Sequence, residues 1–288
     1  RQTFDKITDK AKNPSISLSD CLMSGLAIFS LKYPSLLQFD HDRNKEITIN
    51  NLKTLYGIEK APCDTYLRER LDEIDPDLLK KSYNKVLAKI QRGKILENYT
   101  YYDGHYLVAL DGTGFFSSSE IHCDNCCEKH HRNGRTTYYH KMLGAVLVHP
   151  NQKVVFPFCP EPILKQDGTT KNDCEMNASK RLLPRLRREH PHLKMIIIED
   201  ALSSTEPHLN LLKELNMSYI IGVKPTSHKY LFECSKTTKG LSFEETDSQG
   251  TRHRYYCVNK ISLNESKQDC EVNFLNYQEI KKTSTNTG

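Results

Sequence analysis

The run Met195-Ile196-Ile197-Ile198 constrains the fold of this chain more than any other segment. Apolar and β-branched residues in an unbroken row suit a strand buried on both faces, and such a strand needs helices packed against its sheet. The neighbouring sequence supplies them. Upstream, residues 106–110, 137–148 and 153–158 are strand candidates, and residues 173–189 form a helical segment that Pro184 kinks or splits. Downstream, Ser203-Ser204-Thr205 caps a helix with Pro207 in its first turn, ending near Asn216. Residues 219–223 are a further strand closed by Lys224-Pro225. Three strands, helix, strand, helix, strand is the order of a mixed α/β layer.

Residues 1 to about 95 read differently, as helices throughout, since no stretch there alternates with period two. Ser17, with Asp20 three residues on, carries a capping-box signature before a helix over 18–29. A helix over 50–56 is followed by Gly57-Ile58, and Asp64 is an N-cap candidate for a helix over 65–74. Asp75-Pro76-Asp77 opens a helix over 78–91 that Gly93 ends. The pair 50–56 and 64–74 resembles a helix-turn-helix, with Thr65, Tyr66, Arg68 and Arg70 near the start of its recognition helix; small helical bundles give the same pattern. The tail from His228 is polar, with strand-like pieces at 255–258 and 272–280.

Composition narrows the function classes. Among 288 residues, 37% hydrophobic content and a mean hydropathy of −0.63 exclude a disordered or membrane-embedded chain. The most apolar stretch, residues 21–37, is interrupted by Ser24, Ser30, Lys32 and Pro34, too often for a membrane span. A net charge of +5 leans towards a polyanionic partner without requiring one. Ten cysteines with no leader segment point to a reducing cytoplasm, and Arg1 in place of a Met suggests an N-terminal truncation.

Two acids stand where chemistry is expected. Asp111 ends the apolar run 107–110 before Gly112-Thr113-Gly114, and Asp200 ends Ile196-Ile197-Ile198-Glu199. Carboxylates at strand ends project into the crevice where α/β sheets bind ligands. Two of them on adjacent strands can bridge a pair of Mg²⁺ ions about 3.5–4 Å apart. The bland alternatives are that Asp111-Gly112 is a hairpin turn and that Asp200 caps the next helix.

The segments YLVALDGTGFFSS, TTYYHKMLGAVLVHP, KNDCEMNASKRLL and KMIIIEDALSSTEPHLNLLKELNMSYIIGVKP, in that order, resemble the DDE transposase domain of bacterial insertion sequences. The resemblance covers residues 101–223 and implies an α/β, ribonuclease-H-like mixed sheet with flanking helices. It implies three regions: an all-helical DNA-binding domain over 1–97, the first part of the catalytic domain over 98–227, and a β-rich insertion over 228–288. Asp111 and Asp200, 89 positions apart, match the first two metal-binding acids, which would hold Mg²⁺ or Mn²⁺ for DNA cleavage and strand transfer. The implied partner is double-stranded DNA, both transposon ends and target, bound by a homodimer in the bacterial cytoplasm at the nucleoid, with no membrane involved. The family's third acid, a Glu on a later helix, is not recognisable after Asp200. Glu271 and Glu279 lie in strand-like sequence, and Glu175 is an accessory acid or a helix-surface residue. The third ligand is therefore expected beyond Gly288, and this chain alone is expected not to cut DNA. The rival readings are a non-catalytic DNA-binding remnant and a ribonuclease-H-like nuclease that hydrolyses without joining strands.

Two further clusters remain. Residues 122–131 pack three cysteines and three histidines, and Cys123, Cys126, Cys127 and His130 have the spacing of structural zinc ligands. His140 and Cys159 are more distant ligand candidates, and a polar hairpin loop with free cysteines is the alternative. Lys180, Arg181, Arg185, Arg187, Arg188 and Lys194 make one helix basic, as either a phosphate contact or a solvated face.

Overall fold

Ser17 opens the first regular element by accepting the Asp20 amide N–H through its hydroxyl, which starts α1 (Leu18–Ser30). The capping box is not reciprocal, because the Asp20 carboxylate accepts instead from the Arg1 guanidinium and the Lys60 amide. Ser35 caps α2 (Leu36–Asp42) in the same way. The third helix, α3 (Glu46–Tyr56), starts four residues before the sequence reading and ends where it was expected to. Gly57 there takes a φ of 67°, and its N–H and that of Ile58 satisfy the Lys53 and Leu52 carbonyls. Asp64 is the first residue of α4 (Asp64–Asp72) and not its cap. Asp75 accepts the Asp77 N–H to open a short 3₁₀ turn, Pro76–Leu79, ahead of α5 (Lys80–Arg92). Phe39, Leu52, Ile58 and Leu67 meet Cys21, Ala27 and Ile28 in one core. Burying Phe39 and Leu52 contributes about 1.5–3 kcal/mol each.

The computed structural model describes residues 1–165, 174–265 and 269–281. Its chain divides into two compact units, residues 1–100 with 152–160, and residues 101–151 with 161–288.

The second unit is built on β1 (Tyr106–Ser118), which pairs antiparallel with β3 (Thr136–Val148). Between them lies β2 (Cys127–His130), the outer partner of β3. Two corrections to the sequence reading follow. Strand β1 does not stop at Asp111 but runs seven residues further, so Asp111-Gly112 is no turn; pairing of Asp111 with Gly144 and Gly112 with Leu143 carries the ladder through. The strand read over 153–158 is shorter, β4 (Phe156–Pro157), and a strand not read from the sequence, β5 (Glu161–Ile163), pairs antiparallel with β3.

Helix α6 (Glu175–Glu189) continues unbroken through Pro184, and Asp173, the expected first residue of this helix, lies outside the described residues. Strand β6 (Met195–Glu199) then pairs parallel with β1, α7 (Glu206–Glu214) follows with Pro207 in its first turn, and β7 (Ser218–Ile221) pairs parallel with β6. Thr205 occupies the N-cap position of α7 without a side-chain capping bond. The sheet therefore reads β2-β3-β1-β6-β7, with β5 also on β3: mixed, antiparallel on one side of β1 and parallel on the other. Leu147, Val108 and Ile197 of the strands and Leu182, Leu183, Leu186, Leu209 and Leu212 of the helices are almost fully buried.

The tail opens on a helix that the sequence reading lacked, α8 (Lys229–Thr237). An antiparallel sheet follows, β10-β9-β8, from β8 (Leu241–Thr246), β9 (Arg252–Ser262) and β10 (Glu271–Ile280). Leu231 of α8, Val258 and Ile261 of β9, and Phe274 of β10 close a second core with Leu209.

Candidate active site

Strands β1 and β6, which lead to the two aspartates, pair in parallel. Tyr106 faces Met195, Leu107 faces Ile196, Val108 faces Ile197 and Ala109 faces Ile198, a constant offset of 89. The paired register ends there, two residues before each aspartate, and Asp200 lies one residue past the end of β6. Both aspartates are exposed. Asp111 accepts its neighbour's N–H, Gly112, on Oδ1 at 2.8 Å, and Asp200 accepts the Leu202 N–H on Oδ1 at 2.9 Å. Each keeps a second oxygen outside these bonds. Among the described residues no lysine or arginine pairs with either. On its other flank Asp111 faces Gly144 of β3, which offers no side chain.

The opposite face of the same strands is closed. A Cβ on Gly112 would stand 2.0 Å from Glu175 Oε1, so the Glu175 side chain lies directly over that residue. Lys141 of β3 holds it, with Nζ donating to Oε1 at 3.0 Å. Successive strand residues point to opposite faces, so Glu175 covers the side away from the Asp111 carboxylate. It is neither a loose helix-surface residue nor grouped with Asp111 and Asp200: among the described residues those three do not form a cluster with ligand atoms within 4.8 Å. Glu271 and Glu279 lie in β10.

Sequence reasoning missed Glu199 and His208. Glu199 is buried at the end of β6, and its carboxylate meets His208 Nε2 of α7 inside the fold. The signal was present in Glu199 itself, an acid in a strand whose neighbours are all apolar. A buried carboxylate needs a partner, and His208 supplies it.

Three of the six basic residues around α6, Arg181, Arg185 and Arg187, are engaged within the protein. Arg185 is 4% exposed and pairs with Glu161, as does Arg181. Arg187 donates to the carbonyls of Leu215, Asn216, His190, Pro191 and Leu193, tying the end of α7 to the turn after α6. Lys180, Arg188 and Lys194 remain exposed. The recognition-helix reading narrows as well. Arg70 is buried and bonds Asp9, and Tyr66 packs against the core, whereas Thr65 and Arg68 are exposed.

The cysteine–histidine ligand set is corrected by the hairpin. Cys123, Cys126 and His140 converge with ligand atoms within 4.8 Å of one another. Cys127 is turned away and donates its buried thiol to the Ile163 carbonyl, and His130 pairs with Thr136 through its ring. Cys159 is buried in the first unit.

Among the described residues no helix is long and apolar enough to cross a membrane. No protein-family model matches the chain. No curated protein matches it either. Among solved structures it is similar to a piggyBac transposase seen by cryo-electron microscopy in a synaptic complex with hairpin DNA, at 15% identity and a TM-score of 0.36, over 92% of this chain. The chain spans 59% of the length of that protein.

Proposed function

We propose that this chain is part of a DDE-type DNA transposase of a bacterial insertion sequence, in which Asp111 and Asp200 hold the catalytic Mg²⁺ or Mn²⁺. The observation that carries the reading is the constant 89-residue offset between β1 and β6, which, continued two residues past the last pair, would set the two exposed carboxylates side by side. The strand order supports it. Taken as β5-β3-β1-β6-β7, the sheet has three antiparallel strands followed by two parallel ones, the arrangement of a ribonuclease-H-like fold.

The donor set fits the ion. Mg²⁺ takes hard oxygen ligands and uses one or two carboxylates alongside water and phosphate oxygens. Bound there, a pair of such ions supplies activation of an attacking oxygen and stabilisation of a leaving oxygen at phosphorus. The chain's own contribution is position. Backbone N–H groups of Gly112 and Leu202 hold one oxygen of each aspartate and so orient the other. Gly144 beside Asp111 leaves space for a DNA backbone to approach. The substrate in this reading is double-stranded DNA, first at the element's ends and then at the target, and the DNA-bound protein is a homodimer.

The test is cleavage of DNA carrying the element's ends by protein containing this chain, with Mg²⁺ present. Asp111→Ala and Asp200→Ala should each lower the rate by at least about 100-fold, on the order of 3 kcal/mol in the barrier, while DNA binding persists. Unchanged cleavage in either variant refutes the assignment.

A further inference from the structure

Antiparallel pairing brings Cys126 and His140 together. Cys127 faces Tyr139 across β2 and β3, and Cys126, the residue just before β2, brings its sulfur to 3.3 Å from His140 Nε2. Cys123 closes back onto them through a tight turn in which the Cys126 N–H bonds the Cys123 carbonyl and the Cys126 sulfur accepts the Cys123 N–H. The three ligand atoms form a nearly regular triangle: Sγ to Sγ 3.8 Å, and each Sγ to His140 Nε2 3.3 Å. A disulfide would need about 2.05 Å between the sulfurs. A tetrahedral zinc ion, with Zn–S near 2.3 Å and Zn–N near 2.0–2.1 Å, requires edges of about 3.8 Å between sulfurs and about 3.5 Å from sulfur to nitrogen. The triangle fits those edges.

We infer that Cys123, Cys126 and His140 form a zinc site that staples β2 and the connecting segment 119–126 onto β3. Two sulfurs and an imidazole are the donors that select zinc over magnesium or calcium. Cys123 is exposed and His140 half-buried, so the three ligand atoms lie near the surface. The imidazole is oriented before any ion arrives, because its ring stacks on Phe115 at 5.8 Å and meets Phe116 at 5.7 Å. The staple also has something to hold. Residues 119–125 have no helix or strand and are exposed, and so are Lys129, Arg132 and Arg135 at the β2–β3 end of the arm. Apart from the site, the segment is tied by the stacking of His122 on Tyr138 and the ion pair of Glu128 with Lys165.

The ligand set differs from the one that local spacing suggests, and this makes the inference testable residue by residue. Chain 1–288 purified under reducing conditions, loaded with Zn²⁺ and gel-filtered, should carry one zinc per chain by elemental mass spectrometry. Co²⁺ in its place should give the near-ultraviolet charge-transfer absorption of two thiolates. Cys123→Ser, at an exposed position, and His140→Ala should lose the metal while keeping the wild-type far-ultraviolet circular dichroism. Cys127→Ser and His130→Ala should retain it. Zinc well below one per chain in the wild-type protein, or a cobalt spectrum without thiolate bands, overturns the inference whatever the variants do. Loss of zinc in Cys127→Ser with retention in Cys123→Ser overturns it equally.

Discussion

Gly112 has no room for a side chain on the face that Glu175 covers. A Cβ there would lie 2.0 Å from Oε1, 2.3 Å from Cδ and 2.9 Å from Cγ of that residue. Gly112→Ala must therefore shift the far end of the flexible Glu175 side chain, at a cost of less than about 1 kcal/mol read from thermal or urea unfolding. In a Glu175→Ala background the same substitution should cost less than half as much, because the obstructing carboxylate is gone. Equal costs in the two backgrounds would mean that Glu175 does not lie over β1. At this scale the sequence was partly legible. Asp111 and Asp200 stood out because acids after apolar runs are conspicuous. Glu175 could not be assigned, since its surroundings come from Gly112 and Lys141, 63 and 34 positions away along the chain. The zinc ligands failed for the same reason. His130 is four residues along β2 from Cys126, about 13 Å at strand rise, whereas His140, on the returning strand, places its Nε2 3.3 Å from the Cys126 sulfur.

Elements were read best where their own residues determine them. The Ile-rich β6, the Ser17 cap of α1 and the Gly57 stop of α3 all stand where the sequence put them. Strand β1 was cut short because Gly112 and Gly114 are poor strand formers, and its second half is held by the partner β3, not by propensity. Strand β5 has three residues, too few to show alternation, and β8 is exposed along its whole length, so neither carries an apolar signal. Helix α6 separates two kinds of arginine. Arg187→Ala removes donors from five carbonyls and should cost about 1–3 kcal/mol, while exposed Arg188→Ala should stay within about 0.5 kcal/mol, both by urea unfolding. A reversed order would mean that Arg187 is not holding the ends of this layer. Helix α4 carries a pH dependence. Burial pushes the Asp9 carboxyl up, but the Arg70 guanidinium and nearby backbone N–H groups outweigh it and hold the carboxyl below its ordinary value. A carboxyl depressed in the fold contributes stability above its unfolded value, near pH 3.9, and that contribution fades as pH falls through the depressed value. Between about pH 5 and pH 3 the wild-type protein should therefore lose more stability than Asp9→Asn. Parallel losses would show that the pair contributes nothing to this dependence.

For the whole molecule, the order of elements was legible through residue 223 and the closure of the tail was not. The mixed sheet follows from strands alternating with helices, and the strand-like pieces at 255–258 and 272–280 fall in β9 and β10, whereas α8, β8 and their second core around Leu231, Val258 and Phe274 were not read. Charge was the least reliable guide. Of the six basic residues singled out around α6, Arg181, Arg185 and Arg187 bond within the protein, so net charge did not identify a DNA-binding surface. What unites the second unit is one register, which sets β6 beside β1 and, in the proposed reading, carries Asp200 beside Asp111. That register is tested most directly by iron-directed cleavage of the chain. Fe²⁺ in a Mg²⁺ site, with ascorbate and peroxide, cuts the backbone next to the ion. Cuts near residues 111 and 200 should appear together, fade together as Mg²⁺ is added, and both vanish in Asp111→Asn and in Asp200→Asn. Cuts near only one of the two residues, or cuts that survive either substitution, would contradict a shared metal site.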